Sequence, residues 1–127
     1  MSQPKKPAFD PATVEARTGT IYPEGLKGVV EGRSKQALGN AAGLTRYGVN
    51  LVTLPPGAAS AHRHWHTHED EFVYILEGEL ILVTDAGEQV LGPGMAAGFP
   101  GGVEDGHQLV NRSGAPARYL EVGDRDP

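Results

Sequence analysis

Short apolar runs alternate with glycine and proline breaks along most of this chain. The run Tyr47–Leu54 is largely apolar and β-branched and stops at Pro55-Pro56-Gly57, where the interior of a strand cannot continue. Similar runs span residues 58–66, 72–76, 80–83, 89–91, 95–99, 107–111 and 117–122. About eight short strands at this spacing are typical of β-sandwiches and small barrels. No convincing amphipathic helix interrupts them, so the pattern predicts an all-β fold.

The first third of the chain carries weaker signals. Residues 1–20 contain three prolines and few large apolar side chains. We interpret them as an N-terminal arm that is either disordered or laid on the domain as an extended segment. Residues 25–43 contain five glycines and mixed charges, which allows irregular structure or one weak strand pair. The remaining residues, 21–127, are assigned to a single β-barrel domain.

Composition narrows the classes of partner. A chain of 127 residues is long enough for one domain with one core. Its net charge of -5, with scattered Lys and Arg, argues against a nucleic-acid partner. No apolar run approaches the roughly 20 residues that span a bilayer, and the first residues do not resemble a secretory signal, so we expect a cytoplasmic protein without a membrane partner. Because the chain has no cysteine, nitrogen and oxygen atoms must hold any metal.

The densest chemical signal lies in residues 62–71. This segment contains four of the five histidines, His62, His64, His66 and His68, followed by the three carboxylates of Glu69, Asp70 and Glu71. Such a cluster is costly near an apolar core unless a cation binds it, which indicates a metal site. In a strand all four histidines would share one face, and residues two apart lie roughly 7 Å apart. Alternation alone therefore cannot choose the ligand pair.

Two motifs in the chain resemble those of the cupin family. Residues 57–78, GAASAHRHWHTHEDEFVYILEG, resemble the first motif, in which two histidines, a glutamate and a glycine follow a set spacing. Counting back from Gly78, that spacing selects Glu71 and then the pair His64 and His66. Residues 94–111, GMAAGFPGGVEDGHQLVN, resemble the second motif and add His107. The spacers before His64 and His107 are one and two residues longer than usual, and Met95 stands where an aspartate is common, changes that leave the four candidate ligands in place.

The resemblance implies a small cupin-type β-barrel, a jelly-roll-like double-stranded β-helix. In it, His64, His66, Glu71 and His107 would point inward onto one divalent transition metal ion per chain. Three imidazoles and one carboxylate suit Fe, Mn, Ni, Zn or Cu and do not suit calcium, which takes oxygen ligands. The sequence does not select among those five metals.

Several other residues are candidates for holding the ligands or facing a substrate: Tyr47, Asn50, His62, His68, Gln108 and Asn111. For Asn111, a turn-capping amide is an equally good interpretation, and His62 and His68 are expected at the barrel mouth or in solvent. Glu69, Asp70, Glu104 and Asp105 are interpreted mainly as solvated charges of turns and loops. Trp65 has the opposite parity to His64 and His66, so we expect it to face away from the metal.

The strand that begins near Glu71 also bears on assembly. If Glu71 points inward, Val73 and Ile75 do so as well. The opposite face of the same strand, made of Phe72, Tyr74 and Leu76, then points outward. An apolar outward face needs a cover, from the N-terminal half of the chain or from a second subunit. The resemblance to small cupins, which are often dimers, favours a homodimer.

Two functions fit this reading. Four protein ligands on an octahedral ion leave two positions for exchangeable water or substrate. The chain would then be a metal-dependent enzyme acting on a small oxygen-bearing metabolite, of the dioxygenase, isomerase or decarboxylase type that the resemblance includes. The alternative is a noncatalytic cupin that binds a sugar or another metabolite. The complete ligand set favours the enzyme, and no catalytic residue is assigned.

Overall fold

The computed structural model describes residues 6–18 and 32–125. Within them the chain forms nine strands: β1 Ala16–Arg17, β2 Ser34–Ala37, β3 Tyr47–Leu54, β4 Glu71–Glu77, β5 Leu80–Thr84, β6 Gly87–Leu91, β7 Ala96–Phe99, β8 Gln108–Val110 and β9 Ala117–Asp124. A 3-10 turn at Pro11–Thr13 and the single-turn helix α1, Leu38–Ala41, complete the secondary structure of these residues. The all-β prediction is confirmed, while α1 is too short to produce a helical periodicity that the sequence could reveal.

The strands form two antiparallel sheets. The larger sheet has the order β1-β2-β3-β9-β4-β7, and the smaller has the order β6-β5-β8. The long pairing of β3 with β9 runs from Tyr47 opposite Asp124 to Leu54 opposite Ala117. It joins the middle of the chain to its end, so the larger sheet brings distant segments side by side.

The apolar core lies on the inner faces of these sheets. In β4, Val73 is 1% exposed and Ile75 is fully buried, while Phe72, Tyr74 and Leu76 are 40–45% exposed. The predicted alternation of this strand is therefore confirmed. The remaining core residues come from the other strands and, for Ala58, from the segment after β3; they are Val52, Leu54, Ala58, Leu80, Leu82, Leu91, Leu109, Ala117 and Tyr119.

Several strands end at the proline and glycine breaks that the sequence shows. β3 ends at Leu54, immediately before the two prolines. Gly78 lies between β4 and β5 with φ 81°, and a Cβ there would lie 2.7 Å from the carbonyl oxygen of Pro116. Only glycine fits such a position, because both the backbone angle and the close approach exclude a side chain. Asp85 and Ala86 form the two-residue turn between β5 and β6.

The prediction of a strand over residues 58–66 is wrong. This segment makes only two isolated bridges, Ala59 with Val110 and His64 with His107. Between them, side chains bind the backbone carbonyls of this region: the Gln108 amide donates to Ala61 O at 2.8 Å, and Arg63 donates to Gly106 O. Side-chain bonds thus replace part of the strand ladder, and strict alternation of faces does not hold through the histidine cluster.

The described part of the N-terminal arm is extended and exposed. Ala16 and Arg17 pair with Gln36 and Lys35 of β2, and the Gln36 amide donates to the carbonyl oxygens of Pro11 and Val14. Ala16 and Arg17 thus lie against β2 as a short edge strand, and the assignment of residues 1–20 as an arm stays a prediction. The proposed boundary between residues 20 and 21, and the expectation for residues 25–31, lie outside the described residues.

No helix within the described ranges has the length and apolar character needed to cross a membrane. The cytoplasmic location and the absence of a nucleic-acid partner remain predictions from the sequence.

Candidate metal centre

Four polar side chains converge where the first and second motifs meet. Potential ligand atoms of His64, His66 and Glu71 all lie within 4.8 Å of one another. Oε2 of Glu71 is 3.4 Å from Nε2 of His66 and 3.2 Å from Nε2 of His107. Donor atoms bound at about 2.1 Å to one transition metal ion are themselves about 3.0 to 3.4 Å apart. The donor types and the two distances to Glu71 therefore fit such an ion. His64, His66 and Glu71 form the compact set that could hold it, and His107 adjoins this set through its contact with Glu71.

Backbone pairing between the motifs positions this group. Glu71 is the first residue of β4 and faces inward, like Val73. His107 directly precedes β8, and its N–H donates to the carbonyl oxygen of His64 at 2.9 Å, while the His64 N–H donates back at 3.4 Å. This bridge joins residues 43 positions apart in the sequence and fixes the two histidine backbones against each other.

Two further contacts orient the imidazole rings. Nδ1 of His64 lies 2.9 Å from the carbonyl oxygen of His62, which can only accept, so Nδ1 carries the proton and the lone pair is on Nε2. The ring of His107 is 4% exposed and stacks on Phe99, with centroids 3.7 Å apart and planes 3° apart. His62 thus acts through its backbone, and Phe99 supports His107 although the sequence did not single it out.

Electrostatics keep the carboxylate of Glu71 ionised. Burial raises the pKa of Glu71, but the hydrogen bond with His107 and the electrostatic interactions with the rings of His107, His64 and His66 outweigh that effect. The pKa of Glu71 is therefore lowered from its usual value. A carboxylate that ionises readily is the form that a metal ion needs.

An apolar cavity lies on one side of the histidines. It has a volume of about 340 Å³ and is bordered by His66 and His107 together with Trp65, Leu82, Ala97, Phe99, Pro100 and Val103. The prediction that Trp65 faces away from the metal ligands is wrong, because Trp65 shares this cavity with them. The reason is local: alternation of faces requires a strand, and residue 65 does not lie in one.

A polar cavity of about 350 Å³ lies on the other side. His64, His66 and Glu71 border it, together with Lys35 of β2, Asn50 of β3 and Glu121 of β9. Glu121 Oε1 accepts from Asn50 at 3.1 Å and from Lys35 at 3.3 Å. Asn50 is the candidate from the sequence that lies here, whereas Lys35 and Glu121 were missed. The alternation of β9 could have suggested an inward Glu121, two residues after the buried Tyr119.

The other candidates from the sequence lie elsewhere or have structural contacts. Asn111 is fully buried and donates to Leu54 O and Ala115 O, while its Oδ1 accepts from Ser113, as expected of a turn-capping amide. Gln108 holds the carbonyl of Ala61. Tyr47 borders a third depression beside Phe72 and Val122, and His68 is exposed and borders none of the three cavities found among the described residues.

The charged loop residues near the ligands also have contacts. Oε2 of Glu69 lies 3.8 Å from Nδ1 of His66. Asp70 accepts from the N–H of Gly101 at 2.8 Å and ties the two motif loops together. Asp105 accepts from the N–H of Asp85 at 2.8 Å and borders the apolar cavity, whereas Glu104 is exposed.

A model of the cupin domain family matches residues 50–123, which include all four candidate ligands. The chain belongs to the cupin family. This match and the two-sheet architecture confirm the small single-domain cupin that the two motifs predicted. No curated protein matches the chain significantly.

Several solved structures resemble this cupin. A sugar phosphate isomerase of the cupin superfamily from Silicibacter pomeroyi is 50% identical, with a TM-score of 0.93, over 95% of this chain and 77% of that one. A putative sugar phosphate isomerase from Acidithiobacillus ferrooxidans is 32% identical, with a TM-score of 0.71, over 74% and 60%. The polyketide cyclase RemF from Streptomyces resistomycificus is 26% identical, with a TM-score of 0.77, over 96% and 81%.

Proposed function

We propose that this cupin is a metal-dependent enzyme that isomerises a sugar phosphate. The observation that carries the proposal is the cluster of His64, His66 and Glu71 at the border of a polar cavity, with His107 in contact with Glu71. The likeness to a sugar phosphate isomerase at 50% identity supports the substrate class. A sugar phosphate is one of the small oxygen-bearing metabolites that the sequence predicted as substrates.

In this proposal His64, His66, Glu71 and His107 hold one divalent ion, which would be Fe, Mn, Ni, Zn or Cu. A bound ion would polarise a hydroxyl or carbonyl oxygen of the substrate. The chain's own contribution is to present the donor atoms in fixed orientations. His62 sets the tautomer of His64 through its carbonyl oxygen, and Phe99 holds the His107 ring.

The first experiment measures metal content. Purified protein is expected to contain about one equivalent of a transition metal, and the double variant His64→Ala, His66→Ala is expected to lose it. His68→Ala is the matched control, because His68 is exposed in the same segment and borders neither cavity next to the ligands. Metal retained by the double variant, or absent from the wild type after loading, would contradict the ligand assignment.

The second experiment measures turnover. Protein loaded separately with each of the five metals is incubated with a panel of aldose and ketose phosphates, and interconversion is followed by NMR. Isomerisation of at least one compound, lost in the double histidine variant, is expected. Binding of sugar phosphates without turnover under every metal would instead support the noncatalytic cupin.

The apolar cavity favours a second candidate, an enzyme whose substrate has an apolar body. Trp65 is the chain's one tryptophan and borders that cavity, so its fluorescence reports ligands bound there. A polyketide, the class printed in the name of the cyclase, is expected to quench Trp65 if it binds in the apolar cavity, whereas a sugar phosphate in the polar cavity is not. Turnover of a polyketide with Trp65 quenching would favour this candidate over the isomerase.

We also propose that the chain is a homodimer that covers the outer face of β4. Phe72, Tyr74 and Leu76 are 40–45% exposed there, and an apolar face of this kind is typical of an interface. Light scattering after size exclusion should give twice the mass of one chain, and Phe72→Lys with Leu76→Lys should reduce it to one. Val90→Lys is the control, since Val90 is 58% exposed on the smaller sheet. A monomeric wild type would contradict the dimer.

A further inference from the structure

The inner face of the larger sheet carries a polar group that the metal site does not use. Strand register places Asn50 opposite Glu121, and Glu121 opposite Val73 of β4. One step further along, Gly48 pairs with Gly123, and Gly123 pairs with Glu71. Glu121 and the candidate ligand Glu71 are therefore diagonal neighbours on one face of adjacent strands, roughly 7 to 8 Å apart.

Lys35, Asn50 and Glu121 form a connected hydrogen-bonding group. Lys35 and Asn50 both donate to Oε1 of Glu121, at 3.3 and 3.1 Å. Among the described residues no hydrogen bond to Oε2 of Glu121 is found. The side chains of Lys35 and Glu121 are 33% and 19% exposed, so the pair is accessible but held in place. Oε2 of Glu121 as an acceptor, and the Lys35 ammonium and Asn50 amide as donors, thus lie together at the border of the polar cavity.

Two glycines leave a hollow beside this group. Gly48 and Gly123 line the polar cavity in the same row as Glu71. A Cβ added at Gly48 would meet no atom closer than 3.8 Å, which is an ordinary contact distance, whereas a Cβ added at Gly123 would lie 3.2 Å from the carbonyl oxygen of Asp70. The sheet between Glu121 and the candidate metal ligands is therefore bare backbone, and the room above it lies over Gly48.

The charges around the hollow favour hydroxyl groups over an anion. The polar cavity is bordered by five carboxylates, Glu69, Asp70, Glu71, Glu121 and Asp124, and by three cations, Arg33, Lys35 and Arg125. With a divalent ion on the candidate ligands these charges balance, so the cavity has no net positive charge to attract a free anion. A hydroxyl group can donate to Glu121 and accept from Lys35 or Asn50, so neighbouring hydroxyls match the pattern of the group.

We propose that Lys35, Asn50 and Glu121 bind the hydroxyl groups of a polyhydroxylated substrate in the polar cavity that Gly48 and Gly123 help to line. We call these five residues the hydroxyl subsite. The inference deepens the proposed function, on which it rests for the identity of the substrate. The phosphate of a sugar phosphate is not expected at the hydroxyl subsite.

The test is an NMR titration of zinc-loaded, ¹⁵N-labelled protein with sorbitol and, separately, with inorganic phosphate. Sorbitol is expected to shift the backbone amides of Gly48 and Gly123 and the side-chain amide of Asn50. Glu121→Gln keeps the shape but removes the charge of the acceptor, and it should weaken sorbitol binding about tenfold or more. Glu88→Gln is the matched control, because Glu88 is paired with Arg112 on the smaller sheet.

A second variant keeps every polar group and fills the hollow. Gly48→Ala is expected to weaken sorbitol binding while the zinc content and the dispersion of the spectrum stay as in the wild type. Wild-type sorbitol affinity in Glu121→Gln, no shifts with sorbitol, or phosphate shifting the same resonances would each overturn the hydroxyl subsite. Sorbitol binding with no turnover of any sugar phosphate would contradict the isomerase function but not the hydroxyl subsite. Turnover with a KM that is unchanged in Glu121→Gln would contradict the hydroxyl subsite but not the isomerase function.

Discussion

The two cavities that meet at His66 have similar volumes, but one is lined mainly by uncharged residues and the other mainly by charged and polar ones. The first, of about 340 Å³, is bordered mainly by apolar side chains such as Trp65 and Phe99. The second, of about 350 Å³, is bordered mainly by charged side chains such as Lys35 and Glu121. The difference follows from which sheets supply the lining. The smaller sheet and β7 give the apolar side, and the inner faces of β2, β3 and β9 give the polar side.

This contrast indicates that the two cavities have different roles around the candidate metal ligands. The polar cavity offers donors and acceptors that could fix the orientation of a substrate, while on the apolar side Phe99 stacks on the buried ring of His107. Glu71 links the two sides, because it borders the polar cavity and contacts His107, which borders the apolar one. Substitutions that alter one cavity at a time can test these two roles.

The largest effect is expected where the two sides join. Glu71→Gln removes the one charged ligand of the proposed set, so metal affinity should fall by at least about 100-fold, the upper range for residues that merely support ligands. Calorimetric titration of metal-free protein with zinc measures this. Glu104→Gln, in an exposed loop, should leave the affinity unchanged. Equal zinc affinity in Glu71→Gln and wild type would remove Glu71 from the ligand set.

A change on the apolar side should affect stability and metal binding together. Phe99→Ala removes a half-buried ring stacked on His107 and should lower the free energy of unfolding by about 2 to 3 kcal/mol. It should also weaken zinc binding, while sorbitol binding on the polar side stays intact. Urea unfolding compares it with Val103→Ala, whose side chain is 50% exposed on the same cavity and which should cost less than about 1 kcal/mol. Similar losses in both variants would mean that the stack contributes little.

The pH dependence of the metal-free protein should reflect Glu71. Since the folded-state pKa of Glu71 is lowered, its contribution to stability is present above the unfolded-state value near 4.5 and is lost as pH falls through the folded-state value. The free energy of unfolding should therefore decrease on acidification below about pH 4.5. Thermal unfolding of wild type and Glu71→Gln across this range checks the sign. A slope that is identical in the two proteins would contradict the assignment to Glu71.

The smallest effect is expected beneath the polar side. Tyr119 is fully buried, and its hydroxyl interacts with the Ser60 side chain but makes no hydrogen bond of normal geometry with the described residues. Burial, with the charges of Glu121 and Glu71, raises the pKa of Tyr119 well above its usual value, and Arg33 and Ser60 oppose that rise only in part. Tyr119→Phe should therefore raise the free energy of unfolding by up to roughly 1 kcal/mol, measured by urea unfolding. If Tyr119→Phe instead lowers the free energy of unfolding by that amount, the hydroxyl of Tyr119 is hydrogen-bonded in solution.

Local patterns predicted a large part of this fold. The prolines after Leu54 ended β3, and the alternation of β4 placed Val73 and Ile75 in the core, because both signals act within a few residues. The failures occurred where side chains replaced the strand ladder. Residues 58–66 are apolar and histidine-rich enough to suggest a strand, yet they make only two bridges, and the predicted orientation of Trp65 failed with that strand.

The histidine cluster by itself indicated a metal site but left its members open, and the resemblance to cupin motifs selected His64, His66, Glu71 and His107. The sequence thus determined the fold class and a candidate ligand set, since periodicity, turn chemistry and motif spacing are local properties. Only the tertiary structure decided what surrounds that set. It brought Lys35 within 3.3 Å of Glu121 across 86 positions, placed Phe99 on His107, and separated an apolar cavity from a polar one. Strand pairing creates such contacts between distant segments, and no short stretch of sequence records which strands will be neighbours.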